Sequence, residues 1–240
     1  IYGDTDSVFV WLEQPCDPEQ AWATGVKLAE GLNRWWREQL QQRFGVESAL
    51  EIEFETHYRR FLMPTIRGSE KGSKKRYAGV IDVEGESQLV FKGLESVRTD
   101  WTPLAKHFQR DLYARVFFQR EYIESIRVTV AQLLNGERDQ QLIYRKRLRR
   151  KLKDYVKNIP PHVRAARQLQ QLGEGTPGRG DWIEYWITVN GPEPVGHRQS
   201  AIDYSHYIER QLKPVADSIL YFLGTSFDAI TDRQLGLFES

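Results

Sequence analysis

Residues 1–12 read Ile1-Tyr2-Gly3-Asp4-Thr5-Asp6-Ser7-Val8-Phe9-Val10-Trp11-Leu12. Gly-Asp-Thr-Asp is turn chemistry, and Ser7 to Leu12 is β-branched and aromatic, so the stretch predicts a hairpin with its second strand over Ser7–Leu12. Ile1 falls inside the apolar strand pattern. The first strand is therefore expected to begin upstream, and the chain to be a piece of a longer protein. The turn carries two carboxylates, Asp4 and Asp6, two positions apart. Such a pair can converge on a divalent cation, and magnesium favours one or two protein carboxylates with phosphate oxygens and waters completing its shell. The same residues also make an ordinary Asx-rich turn. Residue chemistry alone leaves both readings open.

Outward from the hairpin, Asp17-Pro18-Glu19-Gln20 is a helix start with a capping aspartate and a proline at the first position. Trp22, Val26, Ala29, Asn33, Trp36 and Leu40 follow at helical spacing, and Gly45 ends the run. Residues 49–56 alternate, Leu50, Ile52 and Phe54 against Glu51, Glu53 and Glu55, which predicts a half-buried strand. Further strands are expected near 59–63, 75–83 and 88–92, with a polar loop from Arg67 to Ser73 between them. Beyond residue 100 the periodicity becomes helical. Helices are expected over 102–119, up to Leu134, over 139–156 and over 161–172. A strand over 181–189 and a turn at Asn190-Gly191-Pro192 follow, then helices over 203–212 and 214–223. The fold class is α+β, an antiparallel sheet with a packed helix followed by a mostly helical portion.

Composition excludes several classes. Apolar residues make up 40% and charged residues 28% of the 240, an ordinary globular mixture. No apolar run approaches the ~20 residues needed to cross a bilayer, so no membrane partner is expected. Cys16 is the only cysteine, which rules out an internal disulfide framework or a cysteine-based zinc site and fits a cytoplasmic setting. Net charge is +1, yet residues 145–153, Arg-Lys-Arg-Leu-Arg-Arg-Lys-Leu-Lys, hold seven cations in nine positions. A local basic patch of this kind binds a phosphate backbone, although a solvated face carries the same pattern. Tyr144, Leu148, Leu152 and Tyr155 recur at helical spacing, placing the patch on a helix with Arg145, Lys146, Arg149 and Arg150 as candidate phosphate contacts.

The hexapeptide Tyr2-Gly3-Asp4-Thr5-Asp6-Ser7 resembles the motif C signature of family B DNA polymerases. The resemblance implies that Asp6 is the main metal ligand, that Asp4 assists it, and that both are catalytic, with Thr5 near the DNA. Lys74-Lys75-Arg76-Tyr77 resembles the signature that lines the primer–template minor groove. Phe91-Lys92-Gly93-Leu94-Glu95-Ser96-Val97-Arg98 is similar to the third, in which an ion pair between Glu95 and Arg98 is expected to fix the crossover. Pro161-His162-Val163-Arg164-Ala165-Ala166 resembles a later signature of the helical arm, His162 being expected in a structural role or on a phosphate. By the resemblance, residues 1–100 are the later part of the palm, 101–230 the thumb, and 231–240 a loosely held tail.

In that tail Gln234, Leu235, Leu237 and Phe238 resemble the peptide by which bacterial members dock on a sliding clamp. The resemblance further implies two Mg2+ ions, primer–template DNA and a deoxynucleoside triphosphate as partners, and a cytoplasmic, nucleoid-associated bacterial enzyme. Glu55 is a candidate for an additional metal-proximal charge, the alternative being a solvated Glu51, Glu53, Glu55 face. A family B site also needs an aspartate from an earlier strand and a helix that holds the triphosphate. Neither occurs here, so the isolated chain is expected to be inactive and not to retain its metals. A non-catalytic DNA-binding and clamp-docking module is the competing description.

Overall fold

A computed structural model describes residues 2–4, 7–14, 16–64 and 75–231. The chain forms two compact units, residues 1–62 with 78–90 and residues 63–77 with 91–240.

In the first unit, β1 (Tyr2–Asp4) and β2 (Ser7–Phe9) form an antiparallel hairpin that pairs Tyr2 with Phe9 and Asp4 with Ser7. The second strand is shorter than the Ser7–Leu12 expectation. Helix α1 (Pro18–Phe44) starts as predicted, the Asp17 carboxylate accepting from the Gln20 N–H at 2.8 Å. It ends at Gly45 in the left-handed region, φ 65°. Three strands, β3 (Arg60–Leu62), β4 (Tyr77–Val83) and β5 (Glu86–Lys92), build a second sheet in that order. Glu84 and Gly85 join β4 to β5 with φ of 52° and 84°. Positive φ at both positions matches the right-handed twist of a two-residue hairpin. Phe9 holds the first hairpin against this unit through the Phe61 and Tyr58 rings, at centroid distances of 5.1 and 6.4 Å.

The strand expected over 49–56 is not formed. Ile52 and Phe54 are half-buried and the three glutamates exposed, as the alternation implied, but Leu50 is exposed as well, and the segment has no strand partner among the described residues. Asn33 of α1 takes that role. Its Oδ1 accepts from the Ile52 N–H and its Nδ2 donates to the Ile52 carbonyl, both at 2.8 Å. The polar break in the α1 stripe is thus the residue that satisfies this backbone.

In the second unit, α2 (Pro103–Phe117) is capped by Thr102, and α3 (Ile123–Leu134) ends at Asn135, as predicted. The long helix expected over 139–156 is replaced by a 3-10 turn at Asp139–Leu142, strand β6 (Tyr144–Arg147) and a 3-10 turn at Leu152–Asp154. Strand β6 pairs with β7 (Trp182–Thr188), which pairs with β8 (Gly191–Pro194). Leu148, Leu152, Ile183 and Tyr185 of this region pack with Val163, Ala165 and Ala166 of α4 (Pro161–Gln171). Burial of one sheet face against an amphipathic helix outweighs helix propensity here.

The two helices expected over 203–212 and 214–223 are continuous: α5 (Tyr204–Tyr207), a π turn over Ile208–Leu212 and α6 (Lys213–Leu220). Pro214 has no N–H to give the Arg210 carbonyl. The wider turn accommodates that loss and places Gln211 inside, where its Oε1 accepts from Thr102 N–H (3.2 Å) and Oγ1 (2.9 Å). Leu104, Leu112 and Tyr113 of α2, Ile126 and Leu133 of α3, and Val215 and Ile219 of α6 are buried in this unit. No described helix is long and apolar enough to cross a membrane.

Candidate metal and nucleic-acid site

The hairpin register leaves two connecting positions, 5 and 6, between the paired Asp4 and Ser7. Thr5 and Asp6 lie outside the described residues, and Asp4 is described by its backbone alone. Among the described residues no group of three or more His, Cys, Asp or Glu could hold a metal. Glu51, Glu53 and Glu55 are each exposed.

In the Lys-Lys-Arg-Tyr run, Lys74 lies outside the described residues. Lys75 is exposed and Tyr77, which opens β4, is half-buried. Arg76 is half-buried, and its Nη2 donates to Glu95 Oε1. The ion pair expected between Glu95 and Arg98 is therefore not the one formed. Arg98 pairs instead with Asp100 at 2.7 Å. A 3-10 turn over Glu95–Val97 buries Glu95, while Arg98, just after it, is better placed for an acid two residues on. The Arg98 guanidinium holds the Asp100 carboxyl below its usual range.

The basic run lies on a strand and the irregular segment after it. The Arg145 guanidinium covers the Trp182 ring at 4.7 Å and sits 3.4 Å from Glu184. Arg147 Nε donates to the Gly180 carbonyl at 2.7 Å. Lys146 is half-buried, and Arg149 and Arg150 are exposed. The backbone N–H groups of Arg149 and Arg150 both donate to the Tyr155 phenol oxygen, at 3.0 and 3.2 Å, which fixes the turn that carries them. The Tyr155 ring meets His162 edge-on at 6.4 Å. His162 is buried, and burial lowers its pKa.

Beside the run is an open cavity of about 650 Å³ lined by Lys151, Lys153, Arg167, Gln170, Thr176 and Arg179, among others. Arg167 closes one wall by donating to the Tyr155 carbonyl at 2.8 Å. Arg167 and Arg179 were not legible as partners of the run, because the fold brings them from α4 and from the glycine-rich loop after it. Gln234, Leu235, Leu237 and Phe238 lie outside the described residues.

Comparison with known proteins defines the class. The family model described as DNA polymerase family B matches residues 1–228. The chain belongs to DNA polymerase family B. It is 52% identical over 244 residues to DNA polymerase II of Escherichia coli, covering 99% of this chain and 31% of that protein. It is 28% identical over 254 residues to a DNA polymerase of Thermococcus kodakarensis, covering 99% of this chain and 14% of that one. Among solved structures, the family B DNA polymerase of Pyrobaculum calidifontis matches with a TM-score of 0.56 and 25% identity, over 82% of this chain and 25% of that chain. The chain thus spans about a third or less of the length of these relatives.

Proposed function

We propose that this chain supplies the later palm and the thumb of a DNA-directed DNA polymerase. The observation that carries the reading is the tight acidic hairpin, Asp4 paired with Ser7, inside a region that matches the family from its first residue. The donor set suits magnesium, since carboxylates are hard oxygen ligands and the ion keeps sites for phosphate and water. Asp6 is the residue that would hold it, with Asp4 adding charge beside it. Bound metal would stabilise the charge that develops as nucleotide is added to a primer end. The chain's own described residues do the rest. Lys75 and Tyr77 meet the primer end, and Arg145, Arg149, Arg150 and the Lys151–Arg179 cavity hold duplex phosphates without reading sequence. The tail peptide from Gln234 to Phe238 would dock on a sliding clamp, adding affinity by tethering two partners on one DNA.

The test is primer extension by a chimera in which these 240 residues replace the matching segment of E. coli DNA polymerase II. The chimera is expected to extend a primer in magnesium, and the 240-residue chain alone to add no nucleotide. A folded chimera that binds primer–template but adds nothing would overturn the reading.

A further inference from the structure

Glu95 is a buried carboxylate whose two oxygens are taken by two other parts of the second unit. Its Oε1 accepts from Arg76. Its Oε2 accepts from Gln109 Nε2 at 2.7 Å. Gln109, on α2, is fully buried, and its Oε1 accepts from the Ser96 N–H at 2.7 Å. Gly93 completes the contact. It has a φ of 64°, and a Cβ there would collide with the Lys75 carbonyl. The backbone around Lys75 and Arg76 is therefore seated against residues 93–96, which α2 in turn holds. A guanidinium committed to a buried carboxylate is not free to neutralise phosphate, because leaving would strand an uncompensated buried charge. Lys75, one position away, is exposed.

We infer that Glu95, held by Gln109, is a positioning residue. It takes Arg76 as an internal strut and thereby presents Lys75 to the nucleic acid. Arg76 itself, despite its place in the basic run, makes no phosphate contact. The inference rests on the polymerase reading above.

The experiment measures primer–template affinity of the 240-residue chain across a salt series, below the unfolding temperature of every variant. Lys75→Gln is expected to weaken binding about fivefold and to reduce the salt slope by about one, the signature of one lost phosphate contact. Glu95→Gln and Gln109→Leu are each expected to weaken binding by a similar factor. Adding either to Lys75→Gln is expected to cost nothing further, because both act through Lys75. Gln109→Leu changes no charge and no exposed atom, so it carries the test if Glu95→Gln does not fold. Two outcomes overturn the inference alone. In one, Glu95→Gln tightens binding and steepens the salt slope, as release of a phosphate-binding Arg76 would. In the other, the losses add to that of Lys75→Gln. If the unaltered chain shows no salt-dependent duplex binding, the polymerase reading falls, and this assignment with it.

Discussion

The side chain of Asn33 and the backbone of Ile52 are paired in both directions, donor to acceptor and acceptor to donor, each at 2.8 Å. One amide thus does for Ile52 what a neighbouring strand does elsewhere. Asn33→Leu leaves a half-buried N–H and C=O without partners, at a cost of about 2–4 kcal/mol to the first unit. Asn33→Asp keeps the acceptor for the Ile52 N–H but sets a charge against its carbonyl, and is expected to be destabilising as well. Chemical denaturation followed by tryptophan fluorescence, with Trp22, Trp35 and Trp36 on the same helix, measures both.

That pair also explains a misreading. The alternation over residues 49–56 correctly placed Ile52 and Phe54 inward and the glutamates outward, but not Leu50, which is exposed. It could not say what the backbone would bond to. Residues 144–155 failed for a different reason. Positions 144, 148 and 152 satisfy a helical period and a two-residue period alike. The choice fell to β7, which is about forty residues away and visible only as a three-dimensional partner. Helix α1, by contrast, was legible because its signals are local: Asp17, Pro18 and Gly45 act within a turn of themselves. Of the site, the acidic hairpin and the basic run could be read directly, since each is continuous in sequence. The Arg76–Glu95 strut and the contribution of Arg167 and Arg179 could not, because they join segments far apart in the chain.

Acidification should weaken the second unit. Burial favours the neutral ring at His162 and at His206 and lowers both pKa values from 6.5. The unfolded chain therefore binds these protons first. The stability tied to the neutral rings is present above the ordinary histidine value and is lost as pH falls through it toward the lowered folded values. The thermal midpoint is expected to drop between about pH 7 and pH 5. His162→Phe, which keeps an aromatic edge for Tyr155, is expected to flatten that drop in calorimetry.

The exposed cations of the run should act on DNA independently of its sequence. Arg149→Ala with Arg150→Ala is expected to weaken duplex binding equally on unrelated sequences. It is also expected to reduce the slope of log affinity against log salt by about two. Because the Tyr155 phenol bonds their backbones and not their side chains, the fold is expected to be unchanged. Fluorescence anisotropy on two duplexes of different sequence, at several salt concentrations, checks this.

Asp6 is the residue on which the catalytic reading turns, and Asp6→Asn keeps its size while removing its charge. The most direct measurement is primer extension by the E. coli DNA polymerase II chimera carrying that substitution, with duplex affinity measured on the same protein. Synthesis is predicted to fall by about 10²- to 10³-fold or more, with affinity for primer–template within about twofold of the unaltered chimera. Undiminished synthesis by the Asp6→Asn chimera would contradict the assignment of this hairpin as a magnesium-binding, catalytic element.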